Sequence, residues 1–536
     1  MATAKVLSNL IGSSYRDKFP ALKGAELSVN LYPGKNGKNT YMESLPGLQL
    51  LENVGGKCRG CYVSTIGLEQ THSTEDMFAV MGNALYRFDI NGTKTKIGNV
   101  ANNGNRISFA ETGGPRALLL IADGANLFYY NLLEGGGLNP IQLPERITER
   151  GGTINPTFVA VVEGCIVVND AGSGYVYYSP ISYPLASDTR EMYQMNGDSP
   201  VYDEDGVTVL KETVASDKHV FENDYHVPQF ENPYSSSDSV NAIYSCQNLL
   251  YVFGPKSCEI WQRDTSENGG WIRVSYSVQS SFGLEAPYSV ASCGNTLYFI
   301  ASGAQYGKCV MAATGTQFKK ISEDWLDEKL LQESTDSAYS YCYSVGEHQF
   351  WVLQMNSLGE TWAFDALDNG WHQRISRDSS SGAEIQWRAS AVAYFHEKFY
   401  AFTSDGCECG FQREYSWEDY PDGSRLPIIC HRQTAVITDN LRPFTFEELT
   451  VEMNVGSNPD YNDECYALLE VSHDGGNTFG NVRSCLIPRT GNYSGRVRWL
   501  NLGYSRLCVI RLTFSVPFPV VLTYCSIRAE STGAMI

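Results

Sequence analysis

Tyr339-Ser340-Tyr341-Cys342-Tyr343, Phe350-Trp351-Val352-Leu353, Thr361-Trp362-Ala363-Phe364 and Trp371-His372-Gln373-Arg374 follow one another within a single short stretch of the chain. Each run is rich in aromatic and apolar residues, and the gaps between them carry Gly346, Gly359 and Asn369-Gly370. Short runs of this kind, punctuated by turn residues, read as antiparallel β-strands joined by tight turns. A sheet of four such strands has two apolar faces and must stack on similar sheets to bury both.

The same order recurs on either side. Upstream lie Gly60–Ser64, Met77–Met81 and Leu85–Phe88, then Arg106–Phe109, Leu118–Ile121 and Leu127–Tyr130, then Thr157–Val161, Cys165–Val168 and Tyr175–Tyr178. Val240–Tyr244, Leu250–Phe253 and Glu259–Trp261 resume the pattern, followed by Tyr288–Ala291, Leu297–Ile300 and Lys308–Met311. Downstream stand Ala389–Ala393, Phe399–Phe402 and Cys409–Phe411. A fourth run closes several units, at Thr95–Ile97, Trp271–Val274 and Phe318–Ile321. Seven units result, with a period of about 40–50 residues, the blade size of a propeller. Small residues crowd the first run of many units, as suits the strand nearest a propeller axis. A sandwich array or a solenoid competes with this reading, but four strands per repeat are too many for a β-helix rung. Radial repetition also protects the sheet edges.

The expected fold is all-β: a β-propeller of about seven blades with an insertion and a C-terminal β-sandwich-like domain. The expected divisions are an extended N-terminal segment at 1–55, blades at 56–185, an acidic insertion at 186–237, further blades at 238–425 and the sandwich at 426–536. The insertion carries Asp188, Glu191, Asp198, Asp203-Glu204-Asp205, Glu212, Asp217, Glu222 and Asp224. It reads either as a contact-making loop or as a solvated one. It lacks the spacing of an EF-hand. Between units five and six, Ser322–Leu331 reads as a helix with Ser322 as N-cap and an acidic first turn.

The whole chain has 536 residues and a net charge of −20. Such a surface repels phosphate, which argues against wrapping DNA tightly without excluding a channel through which DNA slides, and simple solubility explains the charge equally well. Fifteen cysteines are scattered along it. Only Cys58-Cys61 has CxxC spacing, so buried free thiols, as expected for assembly in a reducing cytosol, outweigh a metal site. Residues 1–20 lack the unbroken apolar core of a secretory signal, and no apolar run reaches the ~20 residues of a membrane helix. Neither a standard export signal nor a helical anchor is expected.

From about Leu426 the runs lengthen and alternate: Thr445–Met453, Tyr466–Val471, Arg496–Leu500 and Leu507–Phe514. Between two of them Ser472-His473-Asp474-Gly475-Gly476-Asn477-Thr478-Phe479 fits the Asp-box hairpin pattern, with Ser472, Asp474, Gly476, Thr478 and Phe479 at its defining positions. Asp474 is suited to accept from its own turn, Gly476 to permit positive φ, and Phe479 to tuck under the strand. Arg496, Arg498, Arg506 and Arg511 lie on or beside these strands. They are candidates for pairing with carboxylates, either across subunits or within one.

Several fragments, in order, resemble the packaged DNA stabilisation proteins that form the tail nozzle of short-tailed phages. They are Val29-Asn30-Leu31-Tyr32-Pro33, Glu43-Ser44-Leu45-Pro46-Gly47-Leu48, Gly60-Cys61 and Cys258-Glu259-Ile260-Trp261. The C-terminal series is Ser472 to Thr478, Arg496-Val497-Arg498-Trp499, Leu502-Gly503, Arg511-Leu512 and Ser526-Ile527-Arg528. The resemblance touches both ends and the middle. The acidic insertion and the cysteine content stand outside it. It implies a homo-oligomeric, hexameric ring in the virion tail, assembled in the host cytoplasm below the portal. The implied partners are the portal adaptor or head–tail connector, a tail needle, fibre or spike protein, and phage DNA passing without sequence-specific contact. Packaged DNA would be retained until ejection, and no cofactor is implied.

Catalytic chemistry finds little support in the residues. The eight His form no HxxxH or Cys-His ligand spacing. Ser472-His473-Asp474 are adjacent, whereas a triad converges from separate segments. No G-x-S-x-G elbow or P-loop occurs, and Gly135-Gly136-Gly137 lacks a phosphate-binding Lys. The expectation is a non-enzymatic protein with no metal or cofactor. A receptor- or glycan-binding propeller, or a sialidase-like glycan hydrolase, is the alternative.

Overall fold

The computed structural model describes residues 3–6, 26–36, 39–65, 76–89, 91–113, 117–141, 143, 154–179 and most of 239–531, with short strands between 189 and 215. The acidic insertion falls largely outside the described residues, Asp188, Asp198 and Asp203-Glu204-Asp205 among them. The chain divides into two compact units, residues 58–320 and residues 1–57 with 321–536.

Residues 58–320 form five successive antiparallel meanders. The first four-stranded sheet runs Cys58–Ser64, Asp76–Met81, Ala84–Phe88 and Lys94–Asn99, and the second runs Ser108–Glu111, Leu118–Ala122, Leu127–Asn131 and Gly135–Ile141. The third has three described strands, Val159–Val162, Cys165–Asn169 and Val176–Tyr178. The fourth begins at Ala242–Cys246 and ends at Trp271–Arg273, and the fifth ends at Gln317–Lys320.

Leu118–Ala122 shows why these strands read as unbroken apolar runs. Every residue of it is buried. Leu119 and Ile121 pack with Phe78 and Val80 of the first sheet, while Leu118, Leu120 and Ala122 pack with Ile166 and Val168 of the third. A strand with period-two geometry and both faces covered has no position left for a polar side chain. Further along, Val167, Tyr251, Phe253 and Phe299 share one core. The hairpin between Ala242–Cys246 and Leu249–Phe253 turns on Gln247 and Asn248, both at positive φ (53° and 60°). That is the primed geometry matching strand twist.

The second unit holds the sixth and seventh meanders and the sandwich. The sixth runs Tyr339–Val345, His348–Met355, Glu360–Asp365 and Gly370–Arg377. Helix α1 (Asp324–Gln332) lays Trp325 against Trp362, ring centroids 4.5 Å apart, and Lys329 Nζ reaches Glu360 at 2.7 Å. The helix begins two residues beyond Ser322, whose hydroxyl donates to Asp327. The seventh meander contributes Ala389–Phe395, Lys398–Thr403 and Cys407–Gln412, and its fourth strand comes from the N-terminal region. Gly47–Asn53 pairs antiparallel with Cys407–Gln412, Gly47 opposite Gln412. A Cβ on Gly47 would lie 2.4 Å from the Tyr415 carbonyl oxygen, so only glycine admits this approach.

The sandwich has two sheets. One orders Leu31–Asn36, Asn39–Ser44, Val520–Ser531, Phe444–Val455 and Gly495–Ser505; the other orders Ile429–Gln433, Val509–Ser515, Tyr466–Ser472 and Arg483–Leu486. Leu449, Val451, Val497, Trp499 and Ile527 meet Leu469, Ile510, Leu512 and Phe514 between them. The stretch read as an extended N-terminal segment therefore supplies strands to both the seventh meander and the sandwich. Its strand Leu27–Val29 also pairs in parallel with the sixth meander at Gln373 and antiparallel with Ile429–Gln433.

Candidate functional site

Three polar constellations stand out in the second unit, and the first is centred on Asn30. Asn30 is fully buried and left-handed (φ 54°), a conformation in which Asn is among the few tolerated non-glycine residues. Its amide nitrogen donates to the carbonyls of Ile375 at 3.0 Å and Ile429 at 2.9 Å, and its side-chain oxygen accepts from Ile375 N at 3.0 Å. Its backbone N–H donates to Gln373 O, and its carbonyl accepts from Leu45 N. One side chain thus holds the sixth meander to the sandwich. Beside it, Arg432 and Glu26 form a fully buried ion pair. Burial pulls the Arg432 pKa down while Glu26 supports its charge.

The second constellation lies where the sixth and seventh meanders meet. Gln354 donates to the carbonyls of Trp387 (3.1 Å) and Ala389 (2.8 Å) and accepts from Thr361 (2.6 Å) and Gln386 (2.9 Å). The Tyr341 hydroxyl donates to Ala389 O, and Tyr339 bonds Ser390. The buried Arg374 donates to the Tyr343 hydroxyl and, through Nε, to His372 Nε2 at 3.3 Å, and it lies over the Phe350 ring. Burial, reinforced by the Arg374 charge, holds His372 well below the usual histidine range, which keeps it neutral and able to accept.

The third is the Asp-box, in the hairpin between Tyr466–Ser472 and Arg483–Leu486. Asp474 accepts from Thr478 N (2.9 Å), Thr478 Oγ1 (2.6 Å) and Ser472 Oγ (2.7 Å), which holds its carboxyl far below the usual range. Gly476 N donates to Ser472 Oγ at 2.8 Å, and Gly476 sits at φ 95°. Phe479 is half-buried beneath the Arg511 guanidinium, 3.7 Å from its ring centroid.

The four arginines singled out above occupy different places. Arg496 pairs with Glu452 at 2.7 Å and Arg498 with Glu448, each across one strand pair of the first sandwich sheet. Arg498, with help from Thr450 and Arg528, holds Glu448 at about 2. Arg511 belongs to the other sheet and faces Glu470 at 3.6 Å. Arg506 is exposed in the turn between Gly495–Ser505 and Val509–Ser515. Asn30 and Gln354 escaped the sequence reading, because a buried amide carries no period and no spacing. The one available signal was the position of Asn30 inside Val29-Asn30-Leu31-Tyr32-Pro33.

Ten of the free cysteines are buried. Burial pushes the Cys508 thiol up to about 12, so it is a packing residue rather than a nucleophile. Among the described residues no three His, Cys, Asp or Glu gather as a metal site, and no helix is long and apolar enough to cross a membrane.

Meander sheets joined to a two-sheet sandwich, with polar side chains spent on turns, strand pairs and sheet junctions, define a propeller–sandwich protein. The chain belongs to the family of bacteriophage P22 Gp10: residues 24–404 match its beta-propeller and residues 430–530 its beta-sandwich. It is accordingly a structural protein of a short-tailed phage tail, and its place is the virion. No curated protein matches the chain. Among solved structures it is similar to a streptogramin B lyase, at 10% identity over 68% of this chain and 95% of that one, with a TM-score of 0.36. It is also similar to BamB from Moraxella catarrhalis, at 11% identity over 71% and 94%, with a TM-score of 0.28.

Proposed function

We propose that the chain is a subunit of the tail nozzle, a six-membered ring that closes the DNA channel and retains the packaged genome until ejection. The observation that carries this reading is the match of both the propeller and the sandwich, in order, to one phage tail family. The net charge of −20 supports it, since a channel wall should repel phosphate rather than hold it. In this reading the ring assembles in the host cytoplasm on the portal adaptor, receives a needle, fibre or spike protein, and performs no covalent chemistry. The engagement of Asp474 within its own turn accords with a structural rather than a hydrolytic Asp-box.

The test is a phage in which this gene is interrupted and supplied in trans. Without the protein, heads fill and then lose their DNA; with it, nuclease-resistant DNA is restored and electron microscopy shows a six-fold ring. Particles that retain DNA without the protein would refute the retention role, and a single copy per tail would refute the ring.

A further inference from the structure

One outward sheet face of the sandwich sets arginines against glutamates across three strands. Glu448, Thr450 and Glu452 alternate along Phe444–Val455. Opposite them on one side stand Leu500, Arg498 and Arg496, and on the other Arg528, Ser526 and Tyr524. Directly opposed residues share a face, and the intervening Leu449, Val451 and Val497 point the other way, into the core. The result is a flat surface of three arginines and two glutamates, with Leu500 and Tyr524 exposed at 53% and 39%. The Arg496 and Arg498 side chains remain 68% and 58% exposed although each already meets a glutamate, so donors are left over.

Composition singles out the same domain. Residues 426–536 hold nine Arg, no Lys and ten Asp or Glu, a net charge of −1, which leaves −19 on residues 1–425. Arginine without lysine, beside exposed Tyr and Leu, is the composition of a protein contact rather than of a solubilising surface. The eleven registered positions of the central strand span about 36 Å, and three strands span roughly 14 Å. That is about 500 Å² on each partner, or roughly 1,000 Å² in all, the lower bound for a specific contact.

We infer that this face docks against an acidic surface of residues 1–425 on a second copy of the chain. The net charge of −19 on residues 1–425 is of the sign that those arginines need. A contact between two different surfaces of identical chains is head-to-tail, the kind that closes into a ring. The inference rests on the ring reading above and names the surface that would build it. Arg511, on the other sheet, is outside this face.

The experiment compares wild type with Leu500→Asp/Tyr524→Asp, whose side chains take no part in the arginine–glutamate bonds, and with Arg496→Lys/Arg498→Lys. Ring fraction is read by mass photometry at low and high salt beside a thermal melt. The aspartate pair should lower the ring fraction at least tenfold with an unchanged melt. The lysine pair should lower it less, and raising salt should weaken the wild-type ring. If the aspartate pair melts early, the lysine pair decides alone. Variants that fold and assemble like wild type overturn the inference and leave the ring reading standing, as do variants that form rings but lose a different tail protein. A wild-type chain that is monomeric in the finished tail fails the ring reading itself.

Discussion

Residues 58–320 and the unit formed by residues 1–57 and 321–536 are built from the same short antiparallel strands, but the balance of contacts that locks their sheets together differs. In the first unit apolar contacts predominate between sheets, with Phe78 and Val80 against Leu119 and Ile121, then Tyr251 and Phe253 within the core that holds Phe299, supplemented by hydrogen bonds such as Ser108 with the Val159 backbone and the Tyr251 hydroxyl to Gly315 O. In the second, buried amides, hydroxyls and a guanidinium bridge one sheet to the next. Apolar packing is non-directional and tolerates small shifts, whereas a hydrogen-bonded network accepts one arrangement only. The Asn30 contacts lie where strands distant in sequence must find each other. Gly47–Asn53 joins Cys407–Gln412, and Leu27–Val29 joins Ile429–Gln433. Pairings of that sequence separation are slow to form and gain most from a specific lock.

The largest effect that would test this contrast is expected at Asn30. Asn30→Leu removes three side-chain hydrogen bonds, leaves the Ile375 N–H and two carbonyls unpaired, and places a branched chain at positive φ. A loss of about 4 kcal/mol in denaturant unfolding is expected, by summing orphaned buried groups and left-handed strain. Asn30→Gly relieves the strain but not the lost bonds, so it should recover only part. If Asn30→Leu unfolds like wild type, the junction is not a lock.

A pair of volume-conserving substitutions gives a smaller but sharper test. Gln354→Met keeps the size of the side chain but removes the Gln354 donor from the Trp387 carbonyl and the Gln354 acceptor from the Thr361 hydroxyl, while Ala389 O keeps the Tyr341 hydroxyl, at a cost of about 2 kcal/mol. Leu119→Met, in the apolar core, keeps both size and chemistry and should cost about 1 kcal/mol. If the order is reversed, the two units do not differ in the way their hydrogen bonds suggest.

What the sequence made legible follows the same division. The repeat at Leu118–Ile121 or Phe350–Leu353 shows in the residues themselves, because a strand buried on both faces leaves an unbroken apolar run. The fourth strand of the seventh meander could not be seen. Nothing in Gly47-Leu48-Gln49-Leu50 says that its partner lies some 360 residues away, since pairing over such a distance leaves no local period. Likewise Arg496 and Arg498 were visible as alternating cations, but the glutamates they meet, Glu452 directly opposite Arg496 and Glu448 diagonal to Arg498, depend on a register that only the folded sheet fixes. The Asp-box stood at the other extreme: the Asp474 side-chain bonds are local, so its residue types and their spacing already describe a turn, although the backbone bond from Gly475 N to Leu507 O does not show in them.

That locality sets the smallest expected effect. Asp474 is exposed, and its partners Ser472 and Thr478 lie within four residues. Asp474→Asn retains one carbonyl oxygen for Thr478 N, and the Thr478 hydroxyl can rotate to accept from the new amide, so most of the turn survives. Gly476→Val should do more, since Gly476 is buried at φ 95° and a β-branched residue is strained there. Acid titration supplies a second measure. The folded Asp474 pKa lies below its ordinary 3.8. The stabilisation from its charged form is therefore complete above that value and is lost as pH falls through the folded pKa. Asp474→Asn should flatten this part of the acid melting profile while shifting the neutral-pH melt only slightly, with ring formation following stability. An Asp474→Asn chain that melts like wild type but gives non-infectious particles would show that the turn makes a specific contact in the tail, and a purely local role for the Asp-box would then fail.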